Sequence, residues 1–553
     1  MDGTNTAAPA RGDAAGSTTT ARPPRVLVAD KISPAALAVF AARGVDADLR
    51  PGLSPAELRA ALPGYDGLAV RSSTKVTREV LDAAPDLRVV GRAGIGVDNV
   101  DVTSATARGV VVMNTPFGNA ITTAEHAVAM LFALCRQIPE ASASTKAGRW
   151  EKNRFLGTEL SGKTLGLIGA GNIGSIVADR AQGLRMRVVA YDPFLSERRA
   201  LEIGVEKLEL DDLLARADFV SLHAPLTDST RNVLSRERLF AMKRGARLVN
   251  CARGGLVDEA ALYDALASGH LAGAALDVFE TEPATDSPLF GLENVVCTPH
   301  LGAATAEAQE KVALQLADQM ADFLLTGAVA NAVNMASVTA EEAPRLRPTM
   351  DLARLLGSMA GQLTAARDGA PRAIRVEYEG LAAELNRKPL TAAALAGALA
   401  PLMGGGSVNM VNAPVVARER GVEVAETVRE RTGEYATLVR VVVETERGER
   451  ALAGTLVNER PRLVAVKGIA MGVEAEFSPH MLYVTNLDRP GFVGRFGTAL
   501  AEAGINIATF HMGRTERGGE AVCLVALDAR PDEAVLAAVR AIPLVVQATP
   551  LAF

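Results

Sequence analysis

Short apolar runs alternate with amphipathic segments through the first half of the chain, and this alternation predicts parallel sheets flanked by helices. Runs such as RVLVAD (25–30) and TLGLIG (164–169) have the length and composition of buried strands. Helix signals stand between the runs; Ser33-Pro34 can cap and start a helix that Gly44 closes. Strand–helix alternation of this kind favours the α/β fold class.

The alternation occurs in two series, which predicts two Rossmann-like lobes. Two helical patterns, at 119–137 and 141–149, separate the first series from a second one that starts at residue 164. A long helical pattern at 304–326 follows the second series and ends at Gly327. Ligands of such sheets bind at the carboxyl ends of the strands, so the cleft between the lobes is the expected site.

The pattern changes after about residue 336. Acidic residues and prolines at 341–348 suggest a linker, and a helix (351–367) and an alternating strand (372–380) follow. Two alternating runs on either side of Arg447-Gly-Glu-Arg450 predict a hairpin, within an α+β module that extends to about residue 476. Three glycines inside this module, Gly404–Gly406, predict a hinge or turn.

The C-terminal residues 480–553 have a strand and helix pattern of their own. Strand and helix patterns alternate there in the order β-α-β-β-α-β, which is typical of a ferredoxin-like fold. The chain therefore divides into several domains, in agreement with its 553 residues and the usual size of about 150 residues for each domain.

Composition narrows the function classes. The net charge of −6 gives no electrostatic reason to expect nucleic acid or an anionic membrane as a partner. No apolar run approaches the roughly 20 residues that span a bilayer, and residues 1–24 lack the apolar core of a secretory signal, so we expect a disordered tail. Four cysteines without metal-ligand spacing favour free thiols, no metal site and a cytoplasmic protein.

A glycine fingerprint opens the second series. Gly169-Ala-Gly171-Asn-Ile-Gly174 follows a predicted strand and precedes a predicted helix, where a dinucleotide pyrophosphate would meet backbone N–H groups. Asp192 ends the next strand and can bind the ribose hydroxyls, which favours NAD over NADP. Arg198 and Arg199 lie nearby and leave the strictness of that preference open, and a tight structural turn is the alternative interpretation of the glycines.

Three polar residues follow three later strands of this series. Arg253 can hold a carboxylate with its planar guanidinium, and His300 can move a hydroxyl proton. Either Glu280 or Glu282 can pair with the histidine, and Asp277 can reach the nicotinamide side of a cofactor. Considered alone, Arg253 could be a surface residue and His300 a helix cap. Considered together with the glutamate, these residues predict hydride transfer on a 2-hydroxy acid.

Four motifs carry a resemblance to a known family. GAGNIG (169–174), NCARGGLVDE (250–259), GAALDVFETEP (273–283) and CTPHLGA (297–303) resemble the D-isomer-specific 2-hydroxyacid dehydrogenases. Further motifs resemble the branch of that family that acts on 3-phospho-D-glycerate in the phosphorylated pathway to L-serine: RSSTKVT (71–77), VGRAGIGVDNVD (90–101), MNTPFGN (113–119) and GRWEKNRFLGTEL (148–160). The resemblance extends over about residues 25–553.

The resemblance implies an activity and a set of residues. The activity is NAD-dependent, reversible oxidation of 3-phospho-D-glycerate to 3-phosphooxypyruvate, with reduction of 2-oxoglutarate as a side reaction of some members. The catalytic residues would be Arg253, Glu282 and His300. The cofactor would be bound by Gly169, Gly171, Asn172, Ile173, Gly174, Asp192, Cys251, Ala252, Asp277, Gly302 and Ala303. The substrate would be bound by Arg71, Arg92, Ile95, Gly96, Trp150 and Lys152.

The residues add an argument for a phosphorylated substrate. Arg71, Lys75 and Arg92 cluster in the first lobe, and Arg149, Lys152 and Arg154 surround Trp150. A dianionic phosphate needs such charge. In the family the Trp150 segment crosses to the neighbouring subunit, so we expect a homodimer or homotetramer; a solvated basic turn is the alternative.

The resemblance also implies a domain division. The substrate-binding domain would be discontinuous (25–121 plus 304–336) around the NAD-binding domain (122–303), followed by an intervening domain of allosteric type (337–476) and an ACT regulatory domain (480–553). Asp488 and Asn506 lie where regulated members bind L-serine, and an ACT domain that serves assembly alone is the alternative. The competing functions are another D-2-hydroxyacid dehydrogenase, acting on glyoxylate or hydroxypyruvate, and a nucleotide-sensing corepressor.

Overall fold

A computed structural model describes residues 22–116, 118–367, 369–403, 408–429 and 435–553. The tail predicted over 1–24 lies outside these ranges apart from residues 22–24, and the hinge predicted at Gly404–Gly406 lies outside them entirely. Residue Arg22 is already tied to the first lobe, because its Nη1 donates to the Asp66 carboxylate at 2.9 Å.

The first sheet is parallel, with the strand order β2-β1-β3-β4-β5. Four of its five strands are almost wholly buried, as expected of a sheet covered on both faces. Ser33 caps the first helix through its Oγ, as predicted. The elements are β1 (Arg25–Val28), α1 (Pro34–Ala42), β2 (Asp46–Leu49), α2 (Pro55–Ala61), β3 (Gly67–Val70), α3 (Arg78–Asp82), β4 (Val89–Arg92), α4 (Val102–Ala107) and β5 (Val111–Met113).

Two helices connect the sheets, α5 (Ala120–Arg136) and α6 (Ile138–Lys146). The prediction of a helix at 141–149 was displaced by about one turn. Gln137 adopts a left-handed φ of 49° that ends α5, and a proline at the start of α6 provides a preset backbone angle for its first turn.

The second sheet is also parallel, in the order β12-β11-β10-β9-β6-β7-β8. Its strand order reverses between β9 and β6, which is where such sheets bind ligands. The last three strands end in register, with Asn250 beside Leu276 and Leu276 beside Cys297. The elements are β6 (Thr164–Ile168), α7 (Asn172–Gly183), β7 (Arg187–Tyr191), α8 (Glu197–Glu202), β8 (Glu206–Lys207), α9 (Leu210–Arg216), β9 (Phe219–Leu222), α10 (Arg236–Ala241), β10 (Arg247–Asn250), α11 (Glu259–Ala267), β11 (Gly273–Leu276) and β12 (Val295–Cys297).

The long helix α12 (Ala306–Thr326) returns the chain to the first sheet. Its residues Val312, Leu316 and Met320 share a buried core with Val26 and Val28 of β1. Burial of these side chains removes apolar surface from water and joins the helix to a sheet built by residues 25–113.

The third unit has a six-stranded sheet in the order β14-β13-β15-β16-β17-β18. The predicted hairpin is confirmed, because β15 and β16 pair antiparallel. The elements are α13 (Ala343–Arg367), β13 (Pro371–Gly380), α14 (Leu381–Glu384), α15 (Arg387–Leu399), α16 (Ala413–Glu419), β14 (Glu423–Arg429), β15 (Thr437–Thr445), β16 (Gly448–Val457), β17 (Arg460–Val466) and β18 (Ile469–Glu476).

The linker predicted at 341–348 was wrong, since α13 begins at Ala343. Thr339 and Glu342 exchange side-chain and backbone hydrogen bonds in the manner of a capping box. Pro344 falls in the first helical turn, where no intrahelical N–H is needed, and Pro348 is tolerated farther along.

The C-terminal unit has the predicted β-α-β-β-α-β order and the sheet order β20-β21-β19-β22, which confirms the ferredoxin-like fold. Phe492, Phe496 and Leu500 form the buried stripe of its first helix. The elements are β19 (His480–Leu487), α17 (Phe492–Glu502), β20 (Ile507–Arg514), β21 (Glu520–Leu527), α18 (Glu533–Arg540) and β22 (Val545–Ala552). Among the described residues, none of the helices combines the length and apolar character needed to span a bilayer.

Candidate active site

A cleft of about 470 Å³ lies between the two parallel sheets. Its walls come from the loop after β4, the start of α7, the loop after β9 and the loops after β10 and β12. The structure brings eleven of the predicted site residues to this cleft: Arg92, Ile95, Gly96, Asn172, Ile173, Cys251, Ala252, Arg253, His300, Gly302 and Ala303.

His300 and Glu282 form a pair at the edge of the cleft. The His300 Nδ1 lies 2.7 Å from the Glu282 Oε2, so the other ring nitrogen, Nε2, is left for a substrate. The Glu282 Oε1 accepts a hydrogen bond from the Phe279 N–H at 3.1 Å. This geometry selects Glu282, not Glu280, as the partner of the histidine.

The surroundings of Glu282 favour its charged form. Burial acts to raise the pKa of this carboxyl, but the hydrogen bonds from His300 and Phe279 outweigh burial and hold the pKa below its usual range. An ionised carboxylate at Nδ1 stabilises the imidazolium that forms when Nε2 takes up a proton, and it fixes the orientation of the ring.

Asp277 supports the loop that carries His300. Its Oδ1 and Oδ2 accept the N–H groups of Leu301 at 2.7 Å and Gly302 at 2.8 Å, and its backbone carbonyl accepts the His300 N–H at 2.9 Å. His300 itself has a left-handed φ of 55°, a conformation that surrounding contacts must stabilise. Burial raises the pKa of Asp277, but hydrogen bonds from His126, Thr298 and Leu301 leave it below its usual range.

Two guanidinium groups, those of Arg92 and Arg253, lie on the cleft wall. Asn250 fixes the turn of Arg253, since its side chain accepts from the Ala252 N–H and donates to the Arg253 carbonyl. Burial and the neighbouring Arg253 lower the pKa of Arg92 to about 10. The Arg92 Nε is buried without a hydrogen-bond partner among the described residues. An anion at this wall would supply the missing partner.

The glycine fingerprint fits a dinucleotide. Gly169 has a φ of 98°, and a Cβ at Gly174 would lie 2.2 Å from the Gly169 carbonyl, so both glycines are required by the turn itself. A Cβ at Gly171 would meet nothing within 4 Å, and this residue starts α7 without a side-chain cap. The free helix N-terminus and the open space above Gly171 suit a pyrophosphate.

Several predicted site residues lie outside the cleft wall. The Asp192 Oδ2 accepts the Ala170 N–H of the fingerprint loop at 2.9 Å. Arg71 is close enough to Arg92 to lower its pKa and donates to the Lys31 carbonyl. Trp150 is 84% exposed and, with Lys152, contributes nothing to the cleft of its own chain.

The cleft also contains residues that the sequence did not single out. Asp98 forms an ion pair with Arg253, with 2.9 Å between its Oδ2 and the arginine Nε. His223, in the loop after β9, lines the cleft, and burial lowers its pKa to about 4. The motif GIGVDN placed Asp98 beside predicted site residues, and this position is the signal that could have found it.

One group of three donors could be considered for a metal. Among the described residues, a nitrogen of His126, the Cys251 sulfur and an Asp277 oxygen lie within 4.8 Å of one another. The Asp277 oxygens are already engaged by Thr298, Leu301 and Gly302, and burial raises the pKa of the Cys251 thiol well above its usual value. We assign no metal to this group.

The regulatory candidates lie at the loops of the C-terminal unit. The Asp488 carboxylate accepts from Arg514 at 2.8 Å and from the Gly518 N–H at 3.2 Å. Asn506 donates to the Asp528 carboxylate at 2.9 Å. Both side chains therefore have partners within the chain.

Three family models match the chain in succession. The NAD-binding domain of D-isomer-specific 2-hydroxyacid dehydrogenases matches residues 128–302, the D-3-phosphoglycerate dehydrogenase intervening domain matches 345–467, and the ACT domain matches 480–544.

Proteins of known name are similar over nearly the whole chain. D-3-phosphoglycerate dehydrogenase of Methanocaldococcus jannaschii is 40% identical over 94% of this chain and 98% of its own length. The enzymes of the same name from Bacillus subtilis and Mycobacterium tuberculosis are 39% identical (94% of this chain, 98% of theirs) and 43% identical (91% and 94%).

Solved structures match a little over half of the chain. The TT0316 protein of Thermus thermophilus is 40% identical with a TM-score of 0.52, over 56% of this chain and 99% of that one. A glyoxylate reductase from Paecilomyes thermophila is 28% identical with a TM-score of 0.53, over 56% of this chain and 98% of that one.

Proposed function

The chain belongs to the D-3-phosphoglycerate dehydrogenases, within the D-isomer-specific 2-hydroxyacid dehydrogenase family, and on this premise we propose that it oxidises 3-phospho-D-glycerate to 3-phosphooxypyruvate with NAD. The reaction is the first step of the phosphorylated pathway to L-serine. The observation that carries the chemistry is the 2.7 Å contact between His300 and Glu282 beside the guanidinium of Arg253.

The fingerprint residues 169–174 and the start of α7 would hold NAD, which when bound accepts a hydride from C2 of the hydroxy acid. His300 receives the hydroxyl proton at Nε2 while its Nδ1 stays bonded to Glu282. Since Glu282 remains ionised, the positive charge that develops on the imidazole is balanced within the pair.

Arg253 and Arg92 divide the two anionic groups of the substrate between them. Arg253, beside His300 at the second lobe, holds the carboxylate next to the reacting carbon. Arg92, whose Nε lacks a partner among the described residues, takes the phosphate from the first lobe, and the nearby Arg71 adds positive charge. Ile95 and Gly96 also line the cleft.

The competing functions have less support. The glyoxylate reductase corresponds to 56% of this chain, whereas the D-3-phosphoglycerate dehydrogenases correspond to it through the intervening and ACT domains as well. An unphosphorylated substrate would also leave the Arg92 guanidinium without its anion. A corepressor function does not account for the intact pair of His300 and Glu282.

A substitution of His300 tests the acid–base role. We expect His300→Ala to lower kcat by about 10²–10⁴-fold, because the hydroxyl proton then has no acceptor at the reacting carbon. NAD affinity should stay near the wild-type value, since the backbone of the fingerprint, and not the His300 ring, is expected to hold the pyrophosphate. Steady-state rates and NAD titration measure the two effects, and a kcat that survives within a few-fold would refute the assignment.

We assign a role to each unit of the chain that has its own hydrophobic core. The first sheet with α12 would be the substrate-binding domain (25–121 plus 304–336), and the second sheet the NAD-binding domain (122–303). The remaining units would be the intervening domain (337–476) and the ACT domain (480–553). The four free cysteines suit a reducing compartment such as the cytoplasm.

L-serine is the proposed effector of the ACT domain, at Asp488 and Asn506. The support for this site is that Asp488 directly follows β19 and Asn506 directly precedes β20. The evidence against it is that the Asp488 carboxylate already accepts a hydrogen bond from Arg514. Titration of the purified enzyme with L-serine decides: inhibition that Asp488→Ala abolishes supports an effector site, and unchanged rates leave the domain with an assembly role.

The exposed Trp150 supports a homodimer or homotetramer in which this segment, with Lys152, reaches a neighbouring cleft. Its indole is 84% exposed in the isolated chain, an unusual environment for a large aromatic side chain. Sedimentation of the wild type and of Trp150→Ser, combined with KM for the phosphorylated acid, tests both the assembly and the shared site.

A further inference from the structure

Asp98 joins the two lobes across the cleft. It lies in the loop after β4 of the first lobe, and its Oδ2 accepts a hydrogen bond at 2.9 Å from the Nε of Arg253, which belongs to the second lobe. Both residues line the cleft. The Asp98 side chain is 61% exposed and that of Arg253 is 25% exposed, so the pair faces the space that a substrate enters.

The contacts of Arg253 define what its guanidinium can still bind. Nε donates to Asp98, and Nη1 donates to the Ala252 carbonyl at 2.7 Å. Nη2 lies against Gly96, where a Cβ would come within 1.7 Å of it. The group is thus fixed on three sides, and its unused N–H donors belong to Nη1 and Nη2.

We infer that Asp98 is a positioning residue for the hydroxy acid: it holds Arg253 by Nε so that the terminal Nη groups are presented to the substrate carboxylate. Without Asp98 the long arginine side chain could rotate, and its repulsion by the nearby Arg92 would drive it away from the shared wall. This role rests on the proposed function, since it assumes that Arg253 binds the acid.

A purely structural role for Asp98 and the proposed positioning role predict different effects of its removal. A structural role predicts loss of folding stability, whereas the positioning role predicts the following. Exposed ion pairs contribute little to the free energy of unfolding, so removal of Asp98 should leave the fold and the NAD site intact. The effect should instead fall on KM for the acid and should depend on Arg253. Asp98→Asn keeps an oxygen that can accept from Nε, and it should therefore restore part of what Asp98→Ala loses.

The test is a double-mutant cycle on the full-length enzyme with Asp98→Ala and Arg253→Lys, plus Asp98→Asn. We expect Asp98→Ala to raise KM for 3-phospho-D-glycerate about tenfold, since a charge-assisted hydrogen bond is lost, with a smaller change in kcat and none in NAD affinity. Asp98→Asn should lie between Asp98→Ala and wild type. In the Arg253→Lys background, Asp98→Ala should have almost no further effect.

Three results would overturn the inference: a KM for Asp98→Ala within about twofold of wild type, effects of Asp98 and Arg253 that simply add, or an equal loss in Asp98→Asn and Asp98→Ala. If Asp98→Ala does not fold, Asp98→Asn is combined with Arg253→Lys and judged by the same additivity. Failure of the proposed function is distinguishable, because the wild type would then prefer another 2-hydroxy acid, on which the same cycle can be measured.

Discussion

At the residue scale, the chemistry depends on side chains whose charge is set by immediate neighbours. Glu282 is kept ionised by His300 and a backbone N–H, whereas the half-buried His223 is kept neutral. Arg92 carries its charge in a half-buried position, with a pKa lowered to about 10 and a buried Nε that no described residue satisfies. Such perturbed groups concentrate where a ligand completes the set of contacts.

His223 should make stability depend on pH. Burial lowers its pKa from 6.5 to about 4, so between these values the unfolded chain binds a proton that the folded protein resists. The free energy of unfolding should therefore fall by about 3 kcal/mol as the pH falls through this range. Denaturant unfolding at a series of pH values gives the free energy of unfolding at each pH. In His223→Asn this free energy should change less steeply with pH than in the wild type, and an unchanged dependence on pH would show that His223 is not the group responsible.

Sequence reasoning could single out the three proposed catalytic residues because each follows a strand of the same sheet. Arg253, Glu282 and His300 come after β10, β11 and β12, whose carboxyl ends lie side by side. It could not reach the pairing of Asp98 with Arg253, because those residues come from different lobes and are 155 positions apart. Only the packing of one lobe against the other brings them together.

At the element scale, the start of α7 combines two kinds of glycine. Gly174 is needed by the fold, since a Cβ there would collide with the Gly169 carbonyl, whereas Gly171 has open space around it. Packing within the chain therefore does not require a glycine at position 171. The close approach of the proposed pyrophosphate does require one.

Gly171→Ala separates ligand binding from folding. We expect it to raise KM for NAD about tenfold or more, because the added methyl group occupies the space where phosphate approaches the helix N-terminus. Thermal stability should hardly change. Gly183→Ala, at the other end of α7 and equally open, is the matched control and should change neither quantity. Equal NAD affinity in both variants would count against the site.

Helix boundaries show the limits of local sequence signals. The prolines at 344 and 348 suggested a linker, yet the Thr339–Glu342 capping box starts a helix through them. The remainder of α13 packs against α15 and the sheet of the third unit, and its Leu352, Leu356 and Met359 are fully buried. Tertiary burial therefore outweighed the proline signal.

At the scale of the whole molecule, the last two units share one hydrophobic core. Met481, Tyr483 and Leu524 of the ACT sheet belong to the same buried cluster as Leu363 of α13. Gln362 reinforces the contact, because its side-chain amide donates to the Ala552 carbonyl and accepts the Ala552 N–H. The different strand and helix patterns of these two segments predicted two domains. The patterns did not reveal that each domain buries one face of the other.

Removal of residues 480–553 should therefore damage the unit that remains. The truncated chain would expose the apolar face of α13 and its sheet, and we expect greater binding of a hydrophobic dye and a lower melting temperature for the third unit. Val546→Ser, on an exposed side chain of β22, is the control and should leave both unchanged. A truncated protein with wild-type melting and no added dye binding would refute a shared core.

The central claim is that the cleft binds an acid with two anionic groups, one for each arginine. Initial rates of NAD reduction with 3-phospho-D-glycerate and with D-glycerate test it most directly. We predict a kcat/KM at least about 100-fold higher for the phosphorylated acid, because D-glycerate leaves the Arg92 guanidinium without an anionic partner. Equal or faster turnover of D-glycerate would contradict the account.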